Sequence, residues 1–152
     1  MTKIIDNFRG AYFFLSNFYM KPVYYKDHWY KSSEHAFAAQ KAINGKDRQY
    51  VADANTPADT KHRGRDITCR SDWDDVKIDE MGMIVYQKFA QNEDLKELLC
   101  RTGDAVLIEG NWWKDSFWGM VKDSQGNWQG ENYLGRILMA VRNVFLDTEK
   151  MK

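Results

Sequence analysis

The sequence predicts an α+β domain, and three observations carry that prediction. Residues 4–31 are rich in aromatic and β-branched residues, punctuated by turn-forming pairs, as short strands and hairpins are. From Ser32 onward, capping residues open a series of helical segments. The second half alternates amphipathic helical patterns with one apolar, strand-like run at 105–109. With 152 residues and 43% hydrophobic content, the chain can bury a core of its own, and its length fits one domain over 1–152.

The elements follow in order. Ile4-Ile5 opens a short strand, and Phe8-Arg9-Gly10 makes a bend. Tyr12-Phe13-Phe14-Leu15 reads as a buried strand or a packed loop. Pro22 breaks the chain, and Val23-Tyr24-Tyr25 and His28-Trp29-Tyr30 flank Lys26-Asp27 as a hairpin. A helix over 33–41 comes next. Ser32 or Ser33 caps it, Glu34 lies where the helix dipole favours an anion, and Asn44-Gly45 stops it. A short helix is expected over 48–54. Thr56-Pro57 starts another, with proline at its first position, and Gly64 ends it, leaving Arg63 and Arg65 at an exposed corner. Asp72 starts a long helix to about Asn92, striped by Val76, Met83, Ile84 and Phe89. Residues 94–101 form a helix with Leu95, Leu98 and Leu99 inward, and 105–109 a buried strand ending in Glu109. Residues 110–119 are a polar, aromatic loop, and 122–126 a variable one. Residues 130–135 lead into the last helix, whose core face is Leu134, Leu138, Val141, Val144 and Phe145, with a frayed tail from Asp147.

Composition narrows the function. Lys+Arg and Asp+Glu both total 22, so no broad basic surface for gripping long nucleic acid is expected, although a small phosphate pocket remains open. Cys69 and Cys100 are far apart, without a CxxC pattern, and read as free thiols of a reducing cytoplasm. His28, His35 and His62 lack metal-ligand spacing, and no stretch is apolar enough for a membrane span or signal peptide.

The candidate chemistry starts on the first helix. Glu34, Phe37, Lys41 and Asn44 share one helical face, with Glu34 and Lys41 about 10 Å apart along the axis. That gap fits a sugar-sized group between an acid and an amine; the alternative is two solvated charges. Arg65 either binds phosphate or is solvated. Glu109 is either a buried acid with a raised pKa or a cap for the next turn. Asp115, between aromatics, is either a desolvated carboxylate or a turn residue. Trp118-Gly119 is a stacking wall or a packed corner, and Ser16-Asn17 a base-edge reader or a turn. Gly130, Asn132 and Gly135 are weak signals alone. GxSxG, P-loop, GxGxxG and HExxH motifs are all missing.

Taken together, the short motifs resemble a known family. They are Leu15-Ser16-Asn17-Phe18, Ser33-Glu34-His35-x-Phe37-x-Ala39-Gln40-Lys41, Gly64-Arg65, Trp73-x-x-Val76-Lys77-x-x-x-Met81, Lys88-Phe89, Leu107-x-Glu109, Asp115-x-x-Trp118-Gly119 and Gly130-x-Asn132-x-Leu134-Gly135-x-x-Leu138-Met139. In this order they are similar to the NADAR domain, or YbiA-like, family, with the core at about 8–146. The resemblance implies a single, mostly helical α+β domain with a few short strands that cleaves N-glycosidic bonds. It implies two substrate classes: ADP-ribose on guanine bases of nucleic acid, and phosphoribosylamino-pyrimidine intermediates of riboflavin biosynthesis. Trp112-Trp113 and residues 122–129 depart from the bacterial YbiA pattern, so substrate choice is expected to be decided there.

Both classes join ribose C1 to an exocyclic nitrogen. A glycosylamine of this kind can open to an imine, which a neutral lysine amine can attack. The resemblance makes Lys41 the expected nucleophile and Glu34 the proton shuttle, with Asp115 assisting. The alternative is direct hydrolysis, with a carboxylate stabilising an oxocarbenium-like state. Arg65 is expected on phosphate, Phe18 and Trp118 on the base or adenine, and Ser16, Asn17 and Asn132 on polar edges. Trp73, Glu109, Gly119 and Gly135 complete the expected substrate-binding set. No cofactor or metal is required by this chemistry. The expected partner is an ADP-ribosyl or phosphoribosyl nucleotide-like substrate, free or on a modified DNA or RNA base; a non-catalytic ADP-ribose or nucleotide reader is the other class of function.

Overall fold

The computed structural model describes residues 2–152. About half of the chain is helical, and the strands are short, as an α+β fold requires. Backbone contacts group into two units: 17–92, and the segment up to Ser16 together with 93–152.

In the 17–92 unit, α1 (Ser33–Ala39) is buried along its whole length. It packs on α2 (Gly45–Ala52), α3 (Pro57–Asp66) and α4 (Trp73–Ala90). Alanines at 36, 38 and 39 let three helices close around it. The Ser32 hydroxyl caps α1 by accepting from the His35 N–H at 3.2 Å, and Thr56 caps α3 by accepting from the Asp59 N–H at 3.1 Å. The hairpin of β2 (Val23–Tyr25) and β3 (His28–Tyr30) turns through Lys26 and Asp27, both at positive φ, and buries Val23, Tyr25 and Tyr30.

In the other unit, β1 (Ile4–Ile5) pairs in parallel with β4 (Val106–Leu107), Ile4 against Val106. A 3₁₀ turn covers Gly10–Leu15. Helix α5 (Glu93–Arg101) packs on α6 (Tyr133–Lys150), which in turn packs on β4. A hairpin, β5 (Val121–Lys122) and β6 (Trp128–Gln129), completes the unit. Leu134, Leu138, Val141 and Phe145 form the buried stripe of α6.

Several expectations need correction. Helix α1 ends at Ala39, so Lys41 lies in the turn beyond it. Asn44 does not stop α1; its side chain caps α2, accepting from the Asp47 N–H at 2.8 Å, and α2 runs over Gly45–Ala52. Gly64 sits inside α3, not at its end. Residues 12–15 belong to the 3₁₀ turn, and the loop expected over 122–126 is the turn that joins β5 to β6, starting one residue later. Met83 is exposed while Met81 is inside, and Leu98 and Val144 are also exposed. The α6 helix continues to Lys150 where a frayed tail was expected. Cys69 and Cys100 are free thiols, and among the described residues no helix is long and apolar enough to cross a membrane.

Candidate functional site

The expected catalytic acid and amine stand at opposite ends of α1. Asn17 organises the first end. Its carbonyl accepts the Glu34 N–H at 3.1 Å and its Oδ1 accepts the Ser33 hydroxyl at 2.9 Å. Its amide reaches the Met81 sulfur at 3.4 Å. Asn17 is therefore buried and used to hold the helix start. Glu34 follows in the first turn, with only 9% of its surface exposed. A carboxylate there is favoured by the helix dipole while burial keeps bulk water from it.

One turn on, the Phe37 ring packs 5.0 Å from that of Trp73 at the start of α4, and both rings are buried. Beyond the helix, Lys41 is half-buried, and its carbonyl accepts the Arg70 N–H at 2.9 Å. Gly64 explains the path of its side chain. A Cβ at Gly64 would lie 3.5 Å from the Ala38 Cβ and 3.8 Å from the Lys41 Cδ, so the lysine stem passes over a helix surface with no side chain. Arg65 is exposed on α3, and Phe18 is 37% exposed. His35 is fully buried; its Nε2–H donates to the Ala54 carbonyl at 2.9 Å, and its Nδ1 faces the Ser32 hydroxyl at 2.7 Å. Burial pushes its pKa down, so it is a neutral structural imidazole.

Two further charges in this unit are buried: Glu80, which no sequence motif singles out, and Lys88, part of the Lys88-Phe89 motif but without an expected role. Glu80 on α4 accepts the Lys26 ammonium at 2.6 Å and the Tyr25 hydroxyl at 3.2 Å, while burial, and then the Glu80 charge, raise the Tyr25 pKa. Lys88 is 1% exposed, with the Tyr19 and Phe89 rings within 6 Å. For Glu80 the one sequence signal is a charged residue within an apolar helical stripe.

The second group of expected residues lies in the 110–119 loop and at the α6 start. Asp115 accepts the Phe117 and Trp118 N–H groups on Oδ1, at 3.1 and 2.9 Å. Asn111 brackets the same residue, accepting the Asp115 N–H at 3.0 Å and donating to its carbonyl at 2.8 Å. Asn111 is buried and was missed, because its bonds cross the loop and leave no local pattern. Trp118 meets the Phe117 ring at 4.8 Å, edge to face. At Gly119 a Cβ would collide with the Glu109 carbonyl, so glycine permits the loop to lie on β4. Asn132, at φ 53°, continues the β4 ladder with its side chain: the Glu109 N–H donates to Oδ1 at 3.0 Å, and Nδ2 donates to the Leu107 carbonyl at 2.9 Å. Gly135 lies against that carbonyl as well. Glu109 is half-buried just past β4, and Ser16 closes the 3₁₀ turn by donating its N–H to Phe13 at 2.9 Å. Among the described residues no group of three His, Cys, Asp or Glu is arranged to hold a metal ion.

Known proteins share this arrangement of sequence and fold. The NADAR domain model matches residues 6–146. An N-glycosidase of Nostoc punctiforme is 38% identical over 132 residues, 84% of this chain and 81% of that protein. A riboflavin biosynthesis protein of Vibrio vulnificus is 38% identical over 131 residues, 85% of this chain but 34% of its own length. The N-glycosidase YbiA of Escherichia coli is 33% identical over 129 residues, 84% of this chain and 78% of YbiA. Its NMR structure superposes with a TM-score of 0.82 at 32% identity, covering all of this chain and 90% of that one. The chain belongs to the NADAR domain family.

Proposed function

We propose that this protein is an N-glycosidase that cleaves the bond between ribose C1 and an exocyclic base nitrogen, with Lys41 as nucleophile and Glu34 as proton shuttle. The observation that carries the reading is α1 itself: a buried carboxylate in its first turn and a half-buried amine just past its end. The names of the N-glycosidase relatives support the reaction class.

The substrate ring opens to an imine between C1 and the base nitrogen. The neutral Lys41 amine adds to C1. Glu34 gives a proton to the base nitrogen, which leaves as a free amine, and the sugar remains on Lys41 as a Schiff base. Water adds to C1, Glu34 takes up a proton, and the sugar departs as its aldehyde, which recloses. Arg65 is the phosphate contact and Phe18 the stacking surface within the same unit.

ADP-ribosylated guanine in nucleic acid is the substrate we favour. A second reading, a phosphoribosylamino-pyrimidine, is favoured by the name of the Vibrio vulnificus relative. Both are tested in one assay with wild type, Glu34→Gln, Lys41→Ala and Asp115→Asn. Loss of ADP-ribose from a modified DNA oligonucleotide supports the first substrate, and release of ribose phosphate from the pyrimidine supports the second. Borohydride should trap the sugar on Lys41. The Lys41→Ala variant should lose at least a thousandfold in kcat, and full activity in that variant removes the imine route. Asp115→Asn keeps the oxygen that caps the loop and loses the charge, so a drop in kcat with an unchanged melting temperature assigns Asp115 to the chemistry.

A further inference from the structure

Near the 110–119 loop, the 93–152 unit carries a groove of about 520 Å³ that the proposed reaction does not use. Trp112 is 70% exposed and Trp113 46%, and the two rings meet edge to face at 4.9 Å. Indoles this exposed contribute little to a core. A cation stands over the rings: the Arg9 guanidinium is 4.1 Å from the Trp112 centroid and 5.9 Å from that of Trp113. Farther along, the Lys122 ammonium lies 5.0 Å from the Trp128 ring. The floor is built for this. A Cβ at Gly110 would strike the Asp6 carbonyl and come within 2.6 Å of the Trp128 ring, so only glycine lets that indole approach the backbone here. Among the lining side chains, two are cations and one, Asp6, is an acid.

We infer that this groove binds a single-stranded stretch of nucleic acid, with bases stacking on Trp112 and Trp128 and phosphates paired with Arg9 and Lys122. Alternating indole faces and cations match the alternation of base and phosphate along an unpaired strand. A duplex hides its base faces, and a net charge of zero gives little purchase on one. The groove is open to solvent, which suits a continuing chain better than an enclosed mononucleotide. The inference goes beyond the N-glycosidase reading and is tested without any glycosidic bond, so either can fail alone.

The full chain is titrated with an unmodified twelve-residue oligothymidylate, its duplex with oligoadenylate, and free thymidine monophosphate, following the indole N–H resonances. Saturable binding of the single strand is expected, with Trp112 and Trp128 shifting most. Trp112→Ala should weaken it about tenfold, in line with loss of one stacked base. The Arg9→Gln, Lys122→Gln double variant should flatten the salt dependence by roughly 1.4 in log–log slope, about 0.7 for each phosphate released. All three side chains are exposed, so the variants should melt with the wild type. Absence of single-strand binding, equal affinity for the duplex or the mononucleotide, or unchanged affinity in the variants would each overturn the inference.

Discussion

Replacing Asn132 by alanine should be among the most damaging single changes outside the hydrophobic core. Its amide bonds the Glu109 N–H at 3.0 Å and the Leu107 carbonyl at 2.9 Å, and it is 6% exposed. Truncation strands two backbone groups, each at about 1–3 kcal/mol. The left-handed backbone adds about 1 kcal/mol that asparagine tolerates better than alanine. The total is about 4 kcal/mol, or a drop in melting temperature on the order of 10 °C for a chain of this length. Asn132→Gly loses the same bonds without the backbone cost and should be milder by about 1 kcal/mol. Asn132→Asp keeps the acceptor but points a carboxylate at the Leu107 carbonyl. Only its protonated form can donate there, which raises its folded pKa, so its stability should be greatest in acid and fall as pH rises past about 4. Urea denaturation followed by circular dichroism measures all three. An alanine variant within 1 kcal/mol of wild type, or a glycine variant no milder than alanine, would refute the reasoning.

Two further outcomes are expected. The His35 pKa is lowered in the fold, so the protection it provides is complete above the usual imidazole value of 6.5 and is lost as pH falls below it. Wild type should lose up to about 1.4 kcal/mol per pH unit just below that point, and a His35→Asn variant should show no such slope in melting temperature against pH. At Gly64, alanine makes only ordinary contacts and should be tolerated, gaining up to about 1 kcal/mol from helix propensity. Leucine there must push the Lys41 stem aside, and kcat should fall at least tenfold. A Gly64→Leu enzyme with wild-type kcat would separate Lys41 from this helix surface.

Features set by local chemistry were legible in the sequence. Ser32 and Thr56 cap helices, Pro57 opens one, and Lys26-Asp27 turns a hairpin, because each choice is decided within four residues. Asn44 is ambiguous in sequence because asparagine both ends and begins helices, and here its bond from the Asp47 N–H makes it a beginning. Gly64 looks like a stop in sequence because no local signal tells a stop from a close approach, and its partner Ala38 is 26 positions away. The stripe of α4 was misplaced by two residues at Met83 because buried Glu80 and Lys88 interrupt its apolar pattern. For the candidate site, spacing left Glu34 and Lys41 open between an acid–amine pair and two solvated charges, and the family resemblance supplied their expected roles, whereas Asn111 acts through backbone bonds spanning up to nine residues of an irregular loop.

The pairing of Ile4-Ile5 with Val106-Leu107 also bears on how the chain is made. About a hundred residues separate the two strands, and synthesis proceeds at about 5–20 residues per second. The first strand therefore waits roughly 5 to 20 s on the ribosome for its partner. During that interval residues 17–92, a continuous stretch with its own buried helix, can close their core, while Ile4-Ile5 stays an open edge. Until residues 106–107 emerge, Ile4-Ile5 is thus a strand without its partner beside a neighbouring unit whose core can already be closed.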